Sequence, residues 1–402
     1  MFSRLLDASI VRSFDRSGFL RHEREFHPAD LEVDLHGRVC LVTGANSGIG
    51  FETSLALAER GASVWLLCRN RERGDAAARE IRGRTGSRRV RSVALDVSDL
   101  ADVERFVAQF GARKVDVLVH NAGVLPPQRI ESAQGHEITL ATHVLGPSLL
   151  TRLLVPKLSQ SEDPRVVFVS SGGMYPKKLT LDDVEWRSRS YDGVAAYAQT
   201  KRMQVVLAEL LANQLAAQGI KVNSMHPGWA DTPAVQSSLP RFWRVMKNRL
   251  RTPAQGADTV IWLACSPAAS RETGGFWFDR ARRSPYLVPG TREGPSARAA
   301  LLNLCGWRGA GPGLGPNDRQ VWRGTVVGDR LELDLGLLGQ RGKVGRRPVG
   351  TLEVAQHDQF AAPGVVFALG REHLGGHAQG PVHVEPLGQR AAAGQLVAQG
   401  LE

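Results

Sequence analysis

The sequence predicts an α/β fold, a doubly wound parallel sheet in a single domain, with a short N-terminal extension and an irregular C-terminal tail. Three observations predict it. Short apolar runs of strand length alternate with helix-like stretches between residues 39 and 278. The runs are continuously apolar, as in strands covered on both faces. A glycine-rich turn joins the first run to the helix that follows it.

The elements follow in order. Residues 1–35 carry Phe14, Phe19, Leu20 and Phe26 among many charges, so a helical or irregular extension packed on the sheet domain is expected. The acidic Asp7, Asp15, Glu23 and Glu25 weigh against a membrane-surface helix there. The domain itself is expected over 36–305. A strand at 39–42 runs into the turn 43–50, and a helical pattern over 51–60 stops at Gly61. A strand at 64–67 precedes a polar helical stretch, rich in Ala, Arg and Glu, that reaches Ile81. Strands at 90–95 and 115–119 end at Asp96 and at Asn121-Ala122-Gly123. Further strands are expected at 166–169, 220–223 and 275–278. From 306 to 402 the composition changes: 20 of the chain's 43 glycines and a single lysine, Lys343, fall there. No period is sustained in this tail, which is expected to be disordered or non-native, as read-through or out-of-frame coding would be, and to hold no second catalytic domain.

Composition narrows the function. Hydrophobic residues at 42% and charged residues at 23% exclude a wholly disordered chain. No run of about 18 apolar residues marks a transmembrane helix, and charges interrupt residues 1–20 where a secretory leader would lie. Cys40, Cys68, Cys265 and Cys305 are far apart, so a reduced, cytoplasmic setting is expected. The histidines show no metal-ligand spacing with one another or with the cysteines, and no metal site is expected. The net charge of +11 raises nucleic acid as a partner. Its densest cluster, Arg82, Arg84, Arg88, Arg89 and Arg91, lacks interleaved aromatics and is read as a solvated face.

The turn Gly44-Ala45-Asn46-Ser47-Gly48-Ile49-Gly50 lies between strand and helix, where bare backbone and a helix N-terminus receive a pyrophosphate. After the second strand stands Cys68-Arg69-Asn70-Arg71, with no acidic residue to accept from a ribose hydroxyl. Arg69, with Arg71 assisting, would instead bind a 2′-phosphate, which favours NADP over NAD. Asp96 and Val97 would border the adenine, although a helix-capping role for Asp96 or Ser98 is open.

Tyr197 and Lys201 stand four residues apart on one face of a helix. A phenol titrates near 10, and a nearby ammonium lowers that value toward useful acid–base work. Ser170 and Ser171 close the strand 166–169 at the sheet end where such folds place ligands.

Together with Asn121-Ala122-Gly123, these motifs resemble the short-chain dehydrogenase/reductase family over about residues 37–279, in order and spacing. The resemblance implies a Rossmann-type fold and hydride transfer between a nicotinamide and a carbonyl carbon. It implies that Ser171 hydrogen-bonds the substrate oxygen, Tyr197 moves the proton, and Lys201 lowers the Tyr197 pKa and binds ribose, with Ser170 the runner-up for the serine role. Pro227, Gly228 and Thr232 look like the segment at the nicotinamide end, and Asn121, Ala122 and Gly123 like that which holds the sheet or the cofactor. The chain departs from the family pattern at His120, in place of an Asn, and at His143. At that second position many members carry an Asn that supports a proton-relay water; for His143, a hydrogen-bonding substitute and a structural histidine are both open.

The insertion with Met174, Tyr175 and Trp186, and the segment with Phe242, Trp243, Val245 and Met246, are expected to flank the substrate mouth. Such lining suggests a hydrophobic carbonyl or alcohol as substrate; core packing or an oligomer contact is the alternative. The chain is therefore expected to be an NADP(H)-dependent oxidoreductase, with a cofactor-binding sensor or scaffold as the rival reading. A homo-oligomer is an open expectation.

Overall fold

The computed structural model describes residues 10–307 and, beyond them, the backbone of six strands between 320 and 399; side chains are described for 12–307. The chain divides into two units, Met1–Gly309 and Ala310–Glu402.

The first unit is built on an eight-stranded sheet: β1 (Val39–Thr43), β2 (Ser63–Cys68), β3 (Val90–Ala94), β4 (Val117–His120), β5 (Arg165–Val169), β6 (Lys221–Met225), β7 (Phe276–Phe278) and β8 (Ala281–Arg282). Their order is β3-β2-β1-β4-β5-β6-β7-β8. Every pairing through β7 is parallel, and β8 alone runs antiparallel. The chain thus starts at the middle, winds outward to β3, and crosses back to β4, so the strand order switches between β1 and β4. Ligands of such sheets bind outside the carboxyl ends of the strands at that switch.

Two apolar layers cover the sheet. Cys40 and Val42 of β1 face one layer, while Leu41 faces the other, as the two-residue period of a strand requires. Helices α3 (Gly48–Glu59), α4 (Arg71–Thr85) and α10 (Pro253–Cys265) belong to the first layer. Helices α5 (Leu100–Gln109), α6 (Ile138–Leu158) and α7 (Gly193–Gln214) belong to the second, with α11 (Pro295–Leu304) packed beside them. Helix starts follow local chemistry: Asn70 caps α4, Asp99 caps α5 and Asp192 caps α7. The cap of α5 is therefore neither Asp96 nor Ser98, which bond each other in a local turn instead. By length and composition α6 is apolar enough to cross a membrane, but 83% of its most apolar window is buried in the core.

The N-terminal extension forms α1 (Ile10–Phe14) and α2 (Arg16–His22), capped by Asp15. As expected it packs on the domain, through buried Phe14 and Phe19, while Leu20 stays 42% exposed. Two short helices, α8 (Pro233–Ser238) and α9 (Pro240–Met246), follow β6. Within the arginine cluster, Arg82 bonds the Val90 carbonyl, Arg84 pairs with Glu80, and Arg91 lies over the Trp65 ring.

In the second unit the structure describes the backbone of six strands. Strands β9 (Gln320–Val327), β10 (Arg330–Leu337), β11 (Arg346–Glu353) and β14 (Leu396–Gln399) pair antiparallel, and β12 (Phe367–Ala368) pairs with β13 (Glu385–Pro386). Ladder hydrogen bonds join main chains, so pairing does not require a clean side-chain period. The rest of the tail, on which the expectation of a disordered or non-native segment falls, lies outside the described residues.

Candidate active site

The glycine turn is locked from below by the end of β4. Gly44 has φ +64°, and a Cβ there would stand 2.8 Å from the Ala122 Cα, so only glycine permits this approach. A Cβ on Gly50 would stand 2.4 Å from the Asn121 Nδ2. That amide donates to the carbonyls of Thr43 (2.9 Å) and Gly44 (3.1 Å), while Thr43 Oγ1 accepts from the N–H groups of Asn121 and Ala122. Asn121 and Ala122 therefore hold the loop. Asn46, Ser47, Gly48 and Ile49 lie at its rim, Ser47 exposed and the others half-buried. Ser47 precedes α3 without capping it, which leaves the first N–H groups of that helix to an anion. Backbone approach and uncapped helix start together fit a dinucleotide pyrophosphate.

Around this cradle the other predicted residues take their places. Thr232 caps α8 through Val235 N–H and faces Gly48, which brings the segment after β6, with half-buried Pro227 and Gly228, to the loop. Arg69 is exposed at the end of β2 and makes no ion pair or hydrogen bond among the described residues. Arg71 instead pairs with Asp75 at 3.9 Å on the surface of α4. Val97 is buried, and one oxygen of Asp96 is taken by Ser98. Gly123 borders both Lys201 and His143, so the nucleotide cradle and the catalytic residues adjoin.

The two serines separate cleanly. Ser170 is buried and donates to the Lys201 main-chain carbonyl at 2.8 Å, a structural tie. Ser171 is half-buried, accepts from Gly173 N–H at 3.2 Å, and hydrogen-bonds the Tyr197 side chain. Burial pushes the Tyr197 phenol up, and the Ser171 bond draws it partly back. Lys201 is 3% exposed, and burial pushes its ammonium down to about 7. Its Nζ donates to the Val169 carbonyl (2.8 Å) and to Gln204 Oε1 (3.0 Å), and stands 5.5 Å from the centre of the Tyr197 ring. The expected lowering of the phenol by Lys201 thus gives way, in this geometry, to burial and Ser171.

His143 is held by the fold on both ring nitrogens. It lies in a stretch, Ala141–Leu145, where α6 widens into a π turn. Its Nε2 accepts from Val124 N–H at 3.0 Å, which fixes the proton on Nδ1, facing Thr200 Oγ1 at 2.8 Å. Burial, then the charge of Lys201, hold the ring well below its usual range, so it is neutral. Both nitrogens are occupied, and neither is left for a relay water. His120 is likewise buried and neutral, bonded to Thr151 and packed at a tilt against Phe168.

The substrate side differs from expectation. Met174, Tyr175 and Trp186 are 0%, 5% and 7% exposed, so the insertion's large side chains are core. The segment over α9 packs on the segment after β6: Phe242 meets Trp229 and Trp243 donates to Asp231 at 2.9 Å, while Val245 is 80% exposed. Phe14 lies against Gly172, beside Ser171, and against His226 and Trp229. No local pattern links residue 14 to 172 or 226. Gln204 also escapes motif reading, although its place one turn beyond Lys201 puts the two on one face.

The profile of the family described as short chain dehydrogenase matches residues 38–241. "Dehydrogenase/reductase SDR family member 12" of Bos taurus is 41% identical over 297 residues, 73% of this chain and 93% of that protein. Retinol dehydrogenase 13 of Homo sapiens is 33% identical, over 63% of this chain and 80% of its own length. Among solved structures, a short chain dehydrogenase from Escherichia coli CFT073 complexed with NADPH superposes with a TM-score of 0.50 at 26% identity, over 63% of this chain and 100% of its own.

Proposed function

The chain belongs to the short-chain dehydrogenase/reductase family, whose members act as oxidoreductases on CH–OH and C=O groups, and from that premise we propose an NADP(H)-dependent enzyme that interconverts a hydrophobic carbonyl compound and its alcohol. The observation that carries this reading is the Ser171–Tyr197–Lys201 cluster bordering the glycine cradle through Gly123.

The cradle residues Gly44, Asn46, Ser47, Gly48, Ile49 and Gly50 would hold the pyrophosphate, Arg69 the 2′-phosphate, and Thr232 the nicotinamide end. When bound, the nicotinamide supplies or accepts hydride at the carbonyl carbon. Ser171 donates to the substrate oxygen and orients it. Tyr197, kept protonated at neutral pH by burial, gives its proton to that oxygen during reduction. Lys201 places a donor beside the phenol and the cofactor ribose. NADP is supported by the exposed Arg69, which makes no ion pair among the described residues, and by the NADPH complex of the E. coli structure. A hydrophobic substrate is supported by the half-buried pair Trp229 and Phe242 and by a relative named for retinol. The free, buried cysteines support a cytoplasmic setting.

A second reading, cofactor binding without turnover, is favoured by one observation, the full engagement of His143 by Val124 and Thr200. The test is NADPH and NADH titration of wild type and Arg69→Ala, with turnover measured on a panel of apolar aldehydes and ketones. NADPH is expected to bind the more tightly, and Arg69→Ala to weaken it selectively by about 10-fold or more. Tyr197→Phe is expected to lower kcat by about 10²–10⁴. Tighter binding of NADH would overturn the cofactor assignment, and tight NADPH binding without turnover would favour the sensor.

A further inference from the structure

The floor of the site holds a side chain that no motif reading assigns. Gln204 is 0% exposed and lies one turn beyond Lys201 on α7. Its Oε1 accepts from the Lys201 ammonium at 3.0 Å, and its Nε2 donates to the His143 main-chain carbonyl at 2.9 Å. We infer that Gln204 is a positioning residue for Lys201, an amide clasp that ties the ammonium to the π turn of α6. The inference rests on the assignment of Lys201 to the reaction.

The chemistry follows from the donor and acceptor count. An ammonium has three donors and no acceptor. Two are fixed, one by the Val169 carbonyl at the end of β5 and one by Gln204, so the third is the one available to cofactor or phenol. Removing Gln204 releases one anchor and leaves the His143 carbonyl without its side-chain partner. The clasp also fills the gap between Lys201 and the π turn.

Among the described residues, the groups facing the Lys201 ammonium are Tyr197 from α7 itself and neutral His143 from α6; β5 presents only main chain. A carboxylate at 204 would therefore be its one anionic neighbour. Replacing the amide oxygen by a carboxylate about 3 Å away should raise the Lys201 titration midpoint by about one pH unit or more.

The experiment is ¹⁵Nζ-lysine NMR titration of the full chain, with Lys201 assigned by its absence in Lys201→Arg. Wild type, Gln204→Glu and Gln204→Leu are compared, and melting curves establish that each is folded. Gln204→Glu should raise the Lys201 midpoint, and Gln204→Leu should lower kcat by about 10- to 100-fold with a smaller change in KM. Gln204→Asn, which keeps the amide one methylene shorter, should recover part of that loss and stands in if the other variants do not fold. An unmoved midpoint in Gln204→Glu, or wild-type kcat in Gln204→Leu, overturns the inference. Absence of NADPH binding or turnover in wild type would instead refute the assigned function, since the titration reads the clasp without turnover.

Discussion

Asp279→Asn should loosen the N-terminal helices from the sheet domain, because a buried ion pair holds them. Asp279 follows β7, is 5% exposed, and accepts from Arg251 Nη1 at 2.5 Å and Nη2 at 2.9 Å. His22 Nδ1 of α2 lies 2.6 Å from its Oδ2, the oxygen that also accepts from Nη2. Arg251, 1% exposed, also donates to the main-chain carbonyls of Ser13 (2.8 Å) and Phe14 (2.9 Å). The amide keeps the shape of the carboxylate, and Asn tolerates the φ of 50° at this position, so the change is mainly electrostatic. Stripping the counter-charge from a buried partner costs about 3–5 kcal/mol. At about 2–4 °C per kcal/mol for domains of roughly 150–250 residues, and less for a larger one, Tm should fall on the order of 5–10 °C. Thermal unfolding measures the loss, and limited trypsin digestion should show earlier cleavage among Arg12, Arg16 and Arg21. Because Phe14 lies beside Ser171 through Gly172, turnover should fall with it. A single variant that melts with wild type, within about 1 °C, and digests at the same rate refutes the reasoning. The pH dependence has a definite sign. Burial alone would push Asp279 up, but hydrogen bonds from His22 and Arg251 and the Arg251 charge hold it below its usual value. Its contribution is complete above the unfolded value near 4 and is lost as pH falls through the lower folded value.

Two further outcomes test the catalytic floor. Because burial lowers Lys201 to about 7, the unfolded chain binds a proton there that the folded chain does not between about pH 7 and pH 10. The Lys201 contribution to stability therefore rises with pH across that window, and Lys201→Met should remove that part of the slope of Tm against pH; parallel slopes would sink the assignment. His143→Leu removes the acceptor of Val124 N–H and the partner of Thr200, so unfolding in urea should show a loss of about 1–3 kcal/mol. Unchanged stability with a kcat lost only on one limb of the pH profile would make His143 a relay group after all.

The sequence by itself determined the sheet, its parallel pairing and the cofactor turn, because those depend on local signals. Continuous apolar runs such as 39–42 and 166–169 admit little but buried strands, and Gly44, Gly48 and Gly50 mark a backbone that must be approached closely. The spacing of Tyr197 and Lys201 likewise fixes a shared helix face without any knowledge of the rest of the fold. What only the tertiary structure decided are the relations between residues distant in the chain. Ser170 and Ser171 are indistinguishable as neighbours, and they part only because one meets the Lys201 carbonyl and the other Tyr197. His143 is a lone histidine until Val124 and Thr200 occupy both its nitrogens. Met174, Tyr175 and Trp186 suggest a lined mouth by composition, yet the fold buries them. Phe14 meets His226, and Arg251 holds its main chain, through contacts spanning more than 200 residues. A period reports which face of its own element a side chain takes; which partner waits on that face is set by how the elements pack.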